Sequence, residues 1–171
     1  MTVRALLASG CLLWLTACTD SPETTPRQLD DRILHPPATV GLTPVLIPEL
    51  SAMSDVVQHN LEAQFATLRQ ALAADLSPDT LAGLYGDVGA LLLAARYFSE
   101  STPYFLNAQV LAPGDRRWPY YLGHVYRNVG PLDEAAHALE QANQMHPNDV
   151  ATEVWLGEVY LAQGRASDAA T

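Results

Sequence analysis

The chain has 171 residues, 49% of them apolar, with nine arginines, no lysine and a formal charge of −10. That length and apolar share suit one domain with a buried core. The acidic balance argues against a nucleic-acid reader, which needs a basic face to displace counterions from phosphates.

At the N-terminus, Arg4 precedes an apolar run from Ala5 to Leu15, too short to span a bilayer, and small residues follow. The run ends in Leu15-Thr16-Ala17-Cys18. This resembles the bacterial lipobox, which implies cleavage before Cys18 and acylation of its thiol with diacylglycerol; the alternative is an ordinary cleaved signal peptide. Cys11 would leave the apolar run too short for recognition, so residues 1–17 are expected to be a lipoprotein signal peptide. The two cysteines are Cys11 and Cys18, so no thiol remains for a disulfide after processing. In such lipoproteins an aspartate after the acylated cysteine favours inner-membrane retention. Thr19 holds that position here, which implies anchoring at the outer membrane, facing the periplasm.

Residues 18–50 carry Pro22, Pro26, Pro36, Pro37, Pro44 and Pro48 with no sustained apolar period. Proline removes a donor and fixes φ, so neither a helix nor an inner strand is expected, and the segment reads as a tether reaching roughly 30 Å. The run Pro44–Pro48 is short and apolar enough to dock on the folded part. A helix follows within residues 51–76, with Ser54 as N-cap, Asp55 in its first turn and a stripe of Val57, Leu61, Phe65, Leu68 and Leu72. It is expected to cap an array, whose end repeats otherwise expose an apolar face.

Ser77-Pro78 opens the next helix, and from there to residue 171 the chain repeats every 34 residues. Gly89, Gly123 and Gly157 share a column, as do Leu92, Tyr126 and Tyr160, and Ser101, Ala135 and Ala169. Pro113 pairs with Pro147 and Asp115 with Asp149 at the same interval. Glycine in mid-helix costs about 1 kcal/mol against alanine, so close approach of a partner helix must offset it. The columns predict that each glycine faces the small residue of the following helix, with Tyr126 and Tyr160 filling the space beside it. The prolines are expected to end second helices, and the aspartates to cap the helices after them.

This period and these columns resemble the tetratricopeptide repeat. The resemblance implies an all-α solenoid of antiparallel helix pairs, with repeats at about 82–115, 116–149 and 150–171. The third stops short of a full second helix, as expected of a segment from a longer protein. Pro103 predicts a late start for the second helix of repeat one, and Pro119 stands where the family often has tryptophan, with Trp118 displaced by one.

In that family the first helix of each repeat lines a concave groove. By register this places Gly83, Gly86, Ala90 and Leu93 in repeat one, Arg117, Tyr120, His124 and Arg127 in repeat two, and Ala151, Val154, Glu158 and Leu161 in repeat three. The basic-aromatic middle suits an acidic or carboxylate-ended segment of a partner protein; the plainer reading is solvated helix surface. His35, His59, His124, His137 and His146 show no ligand spacing, and no nucleophile, phosphate or dinucleotide motif occurs. No metal, cofactor, small-molecule substrate or enzymatic activity is therefore expected. The functional expectation is a lipid-anchored periplasmic adaptor. The alternative is the targeting and docking part of a larger enzyme or electron-transfer protein.

Overall fold

The computed structural model describes residues 31–36 and 41–170; the N-terminal apolar run, Cys11 and Cys18 lie outside the described residues. Two short strands come first, β1 (Ile33–Leu34) and β2 (Val45–Leu46). They are antiparallel, with Ile33 opposite Leu46 and Leu34 opposite Val45. Six helices follow: α1 (Asp55–Leu72), α2 (Pro78–Ala94), α3 (Phe98–Leu111), α4 (Arg117–Val129), α5 (Leu132–Met145) and α6 (Val150–Ala162). A 3-10 turn covers Asp168–Ala170.

Each helix packs on its predecessor, and the first helices α2, α4 and α6 also touch one another in turn. This is the all-α solenoid that the period of 34 predicts. Local chemistry sets the helix starts. Ser77 Oγ accepts the Thr80 amide, with Pro78 at the first helical position. Asp149 Oδ2 accepts both the amide and the hydroxyl of Thr152, and Asp115 Oδ1 accepts the Arg117 amide at the start of α4. Ser54 occupies the N-cap of α1 but makes no side-chain cap bond. Arg96, Gly130 and Gly164, again 34 apart, all take positive φ at the bends after first helices. The arginine hides this column from a reading that looks for glycine there.

The main core joins the strands to α1–α4 through Leu61, Phe65, Leu68, Tyr85, Tyr104 and Phe105, and a smaller cluster of Ala135, Leu139, Leu156 and Val159 joins α5 to α6. The glycine column works differently from the sequence expectation. A Cβ on Gly89 would lie 2.8 Å from the Phe105 ring, and one on Gly123 would lie 2.5 Å from Leu139 Cγ. The glycines therefore admit the large residue one turn beyond Ser101 and Ala135, because i and i+4 share a helix face. At Gly157 the nearest atom is the Ala169 carbonyl oxygen, at 3.7 Å, an ordinary contact. Tyr126 packs at the junction of both clusters, and the Tyr160 hydroxyl donates to Glu140 at 2.7 Å. Pro113 and Pro147 lie two residues past the ends of α3 and α5.

Two further expectations are corrected. Helix α3 starts at Phe98 and runs through Pro103 without delay. The carbonyl that Pro103 leaves without an amide belongs to Ser99, an exposed residue within reach of water. The second correction concerns only the described part of the proline-rich segment, residues 31–36 and 41–50, which holds the two strands and is packed from residue 42 onward; residues 18–30 and 37–40 lie outside the described residues. Val45 is fully buried and Leu34 and Leu50 nearly so. Buried Asn107 donates to the Thr43 carbonyl and accepts the Thr43 amide, while Tyr104 Oη donates to the Leu46 carbonyl. Side chains of α3 thus supply hydrogen bonds that a neighbouring strand would otherwise give, and prolines beside the strand do not prevent this.

Candidate protein-binding groove

The groove residues of repeats two and three lie on α4 and α6, the adjacent first helices. At the start of α4, Arg117 makes a close ion pair with Asp115, Nη2 to Oδ2 at 2.6 Å and Nε to the same oxygen at 2.9 Å. Its guanidinium lies 4.5 Å from the centre of the Trp118 ring. The hydrogen bonds from Arg117 hold the Asp115 carboxyl below the usual carboxylate range. Trp118 itself is buried against Gly86, where an added Cβ would meet the indole at 2.2 Å. Gly86 is therefore under the tryptophan, not open to the groove.

One turn along α4 an aromatic row begins. Tyr120 meets His124 edge-on at 4.6 Å, and His124 meets Trp155 of α6 edge-on at 4.7 Å. Tyr121 stacks on Phe105 at 5.0 Å. Arg127 covers Trp155 at 4.3 Å and pairs with Glu158 at 3.0 Å. The row ties α4 to α6 while its members remain only partly buried. Of the remaining register positions, Val154 and Leu161 are 53% and 60% exposed. Beside them, between α5 and α6, lies a cleft of about 660 Å³.

Structure thus brings Tyr120, His124, Arg127 and Glu158 together and leaves Arg117 at the near end with its own carboxylate. The member missed by register is Trp155. It shares a column with Tyr121 at the repeat period, so the recurring aromatic was the available signal. Among the described residues, no group of His, Cys, Asp and Glu is arranged to hold a metal ion. None of the helices among them is long and apolar enough to cross a membrane.

Burial, and then the positive charge of Arg127, push the His124 pKa down from 6.5 to about 4. The unfolded chain therefore takes up this proton first as pH falls. The contribution of His124 to stability is full above about 6.5 and is lost progressively toward 4. The ring is partly solvated, which limits the loss to roughly 1–2 kcal/mol. Denaturant titrations at pH 7 and 4.5 should show this step in the native chain and a flatter dependence in His124→Gln; equal slopes would contradict it.

Together the paired helices and the surface they line define an α-solenoid of tetratricopeptide type. The sequence model of the tetratricopeptide repeat family matches residues 130–171. Among solved structures, MamA (residues 41 to the end) from Desulfovibrio magneticus RS-1 is similar, with a TM-score of 0.59 at 21% identity, covering 67% of this chain and 61% of that one. MamA MSR-1 gives 0.58 at 16% identity, over 67% of this chain and 62% of its own. MamA AMB-1 gives 0.57 at 18%, over 67% and 59%. The chain thus spans about three fifths of the length of these structures. No curated protein matches in sequence.

Proposed function

We propose that this chain is a non-catalytic interaction scaffold of the bacterial envelope, holding a segment of another protein on the concave surface formed by Arg117, Tyr120, His124, Arg127 and Glu158. The observation that carries the reading is the half-buried row of Tyr120, His124 and Trp155 with Arg127 laid on it. Tyr, Trp and Arg dominate protein-interface hot spots because they bury large area with few rotors and keep a polar tip. A solenoid face offers many such positions in register.

Attachment to the outer membrane, facing the periplasm, is part of the same proposal and rests on the Leu15–Cys18 pattern. Several acyl chains contribute about 0.8 kcal/mol for each buried methylene, enough for stable anchoring. Mass spectrometry of the membrane fraction is expected to find Cys18 as a diacylglycerol-modified first residue, and an unmodified Cys18 would reject anchoring. For the groove, a photo-crosslinking residue at Tyr120 is expected to trap one cellular protein, while the same residue at exposed Asp55 on α1 traps none. Equal trapping from both positions, or none from either, would remove the groove reading.

A further inference from the structure

Strand β2 shows what the second helices of this array can hold. It runs opposite to α3, with Asn107 bonded to Thr43, Tyr104 to the Leu46 carbonyl and Tyr97 to the Glu49 carbonyl. Val45 is thereby buried in one core with Leu72, Val88 and Leu92. One repeat of 34 residues later, Leu72, Val88, Leu92, Tyr104 and Asn107 become Leu106, Leu122, Tyr126, Ala138 and Gln141. These five line a single cleft of about 460 Å³. Its walls are α3, α4 and α5, helices of the first two repeats. It is the hairpin's groove repeated, and among the described residues no strand fills it.

The cleft also has the chemistry of a strand site. Gln141 Oε1 accepts from Gln109 at 3.1 Å, while its Nε2 makes no hydrogen bond among the described residues. That nitrogen is left to donate to a backbone carbonyl, as Asn107 donates to Thr43. Ala138 stands where Tyr104 fills the first groove, so the second has room for a larger side chain than Val45. Leu106, on its apolar wall, is 40% exposed. Two carboxylates edge the cleft near the start of α5. Asp133 accepts from the neutral amide of Gln163, and Glu134 makes no hydrogen bond or ion pair among the described residues. An unanswered carboxylate beside an apolar wall complements a cation next to an apolar side chain.

We infer that this second groove binds an extended segment of another protein, its backbone held by Gln141, a large apolar side chain set between Leu106 and Ala138, and a Lys or Arg beside Glu134. Like β2 on α3, the segment runs opposite to α5. Its apolar residue lies two places after the one held by Gln141, as Val45 follows Thr43, and its cation two or three places further on. Extended peptides recognised this way take affinity from main-chain bonds and specificity from the side-chain pocket. The groove lies between second helices, so it stands apart from the aromatic row on α4 and α6 and does not rest on that reading.

Two synthetic probes test it against the full chain by isothermal titration. One is a capped heptapeptide copying residues 42–48, with phenylalanine in place of Val45 and lysine in place of Pro48; its twin carries glutamate in place of that lysine. The lysine peptide is expected to bind one to one and about tenfold tighter than its twin at low salt, the gap closing as salt rises. Glu134→Gln is expected to remove that preference. Gln141→Ala and Leu106→Ser, at half-buried and exposed positions, should each weaken binding about tenfold. Ala138→Tyr, which restores the ring of the first groove, should abolish it, and the other two variants carry the test if this one fails to fold. Asn107→Ala, which loosens the hairpin in the first groove, should leave binding unchanged. Binding that Asn107→Ala strengthens and the second-groove variants leave alone would place the peptide in the hairpin's own groove and overturn the inference. Failure of both probes to bind would overturn it too. So would a dimer of the chain lost on Leu106→Ser, which gives the groove to a second copy, or a crosslink from a photo-reactive residue at His137 to residues 18–30 of the same chain.

Discussion

Gly86→Ala and Gly123→Ala are each expected to lower stability by about 2 kcal/mol, and Gly157→Ala to raise it by up to about 1 kcal/mol. All three glycines sit inside first helices, where alanine is favoured over glycine by about 1 kcal/mol when nothing else changes. At Gly86, however, a Cβ would lie 2.2 Å from the Trp118 ring, and at Gly123 it would lie 2.5 Å from Leu139. Trp118 and Leu139 are 2% and 1% exposed, so neither can swing out of the way without disturbing the core. Overpacking at such sites costs roughly 1–3 kcal/mol and more where the neighbour is pinned, which outweighs the helix gain. At Gly157 nothing is nearer than 3.7 Å, and the propensity term stands alone.

In melting experiments the two losses should appear as drops of roughly 4–8 °C. Trp118→Leu placed in the Gly86→Ala background should recover part of the first, since residues in contact couple by about 0.5–3 kcal/mol. If Gly123→Ala melts like Gly157→Ala, the close approach of α5 to α4 is not what requires glycine there.

The same column shows how far the sequence could be read. Glycine, tyrosine and proline recur every 34 residues because each repeat must meet the same neighbours, so helix pairing and order were legible. What each glycine meets was not. The small residues at 101 and 135 and the large ones at 105 and 139 lie on one face, and only the packing shows which reaches across. The groove was legible in part. Register placed Arg117, Arg127 and Glu158, but not the ion pair that Glu158 makes with Arg127 from another helix 31 residues away. Trp155 lay one position off the register.

Least legible was the hairpin before the helices. Two strands of two residues leave no alternation long enough to notice, and the prolines around them suggest a tether. The hydrogen bonds that tie it to α3 come from Asn107 and Tyr104, some 60 residues away.

Asn107→Ala is accordingly expected to free this hairpin while leaving the later repeats intact. Asn107 is 2% exposed, and its amide makes a reciprocal pair with Thr43, donating to the carbonyl at 2.9 Å and accepting the amide at 3.0 Å. It also accepts the Thr43 hydroxyl at 3.2 Å. Removing the amide forfeits these bonds, each worth about 1 kcal/mol net, for a total of roughly 2–3 kcal/mol. Thr43 is exposed, so water can satisfy its backbone once released, and the loss stays local. Hydrogen exchange should therefore quicken at the Thr43 amide and at the Ile47 amide, which bonds to the Arg32 carbonyl at 2.8 Å. Amides within α4 to α6 should keep their protection, since repeats transmit stability mainly to their neighbours. Asn107→Asp sharpens the test. It keeps the acceptor for the Thr43 amide but sets a carboxylate against the Thr43 carbonyl, so its hairpin should be loose at neutral pH and tighten when acid restores a donor. Unchanged exchange at Thr43 and Ile47 in both variants would show that burial of Val45 and Leu34 alone holds the hairpin, with Asn107 contributing nothing to it.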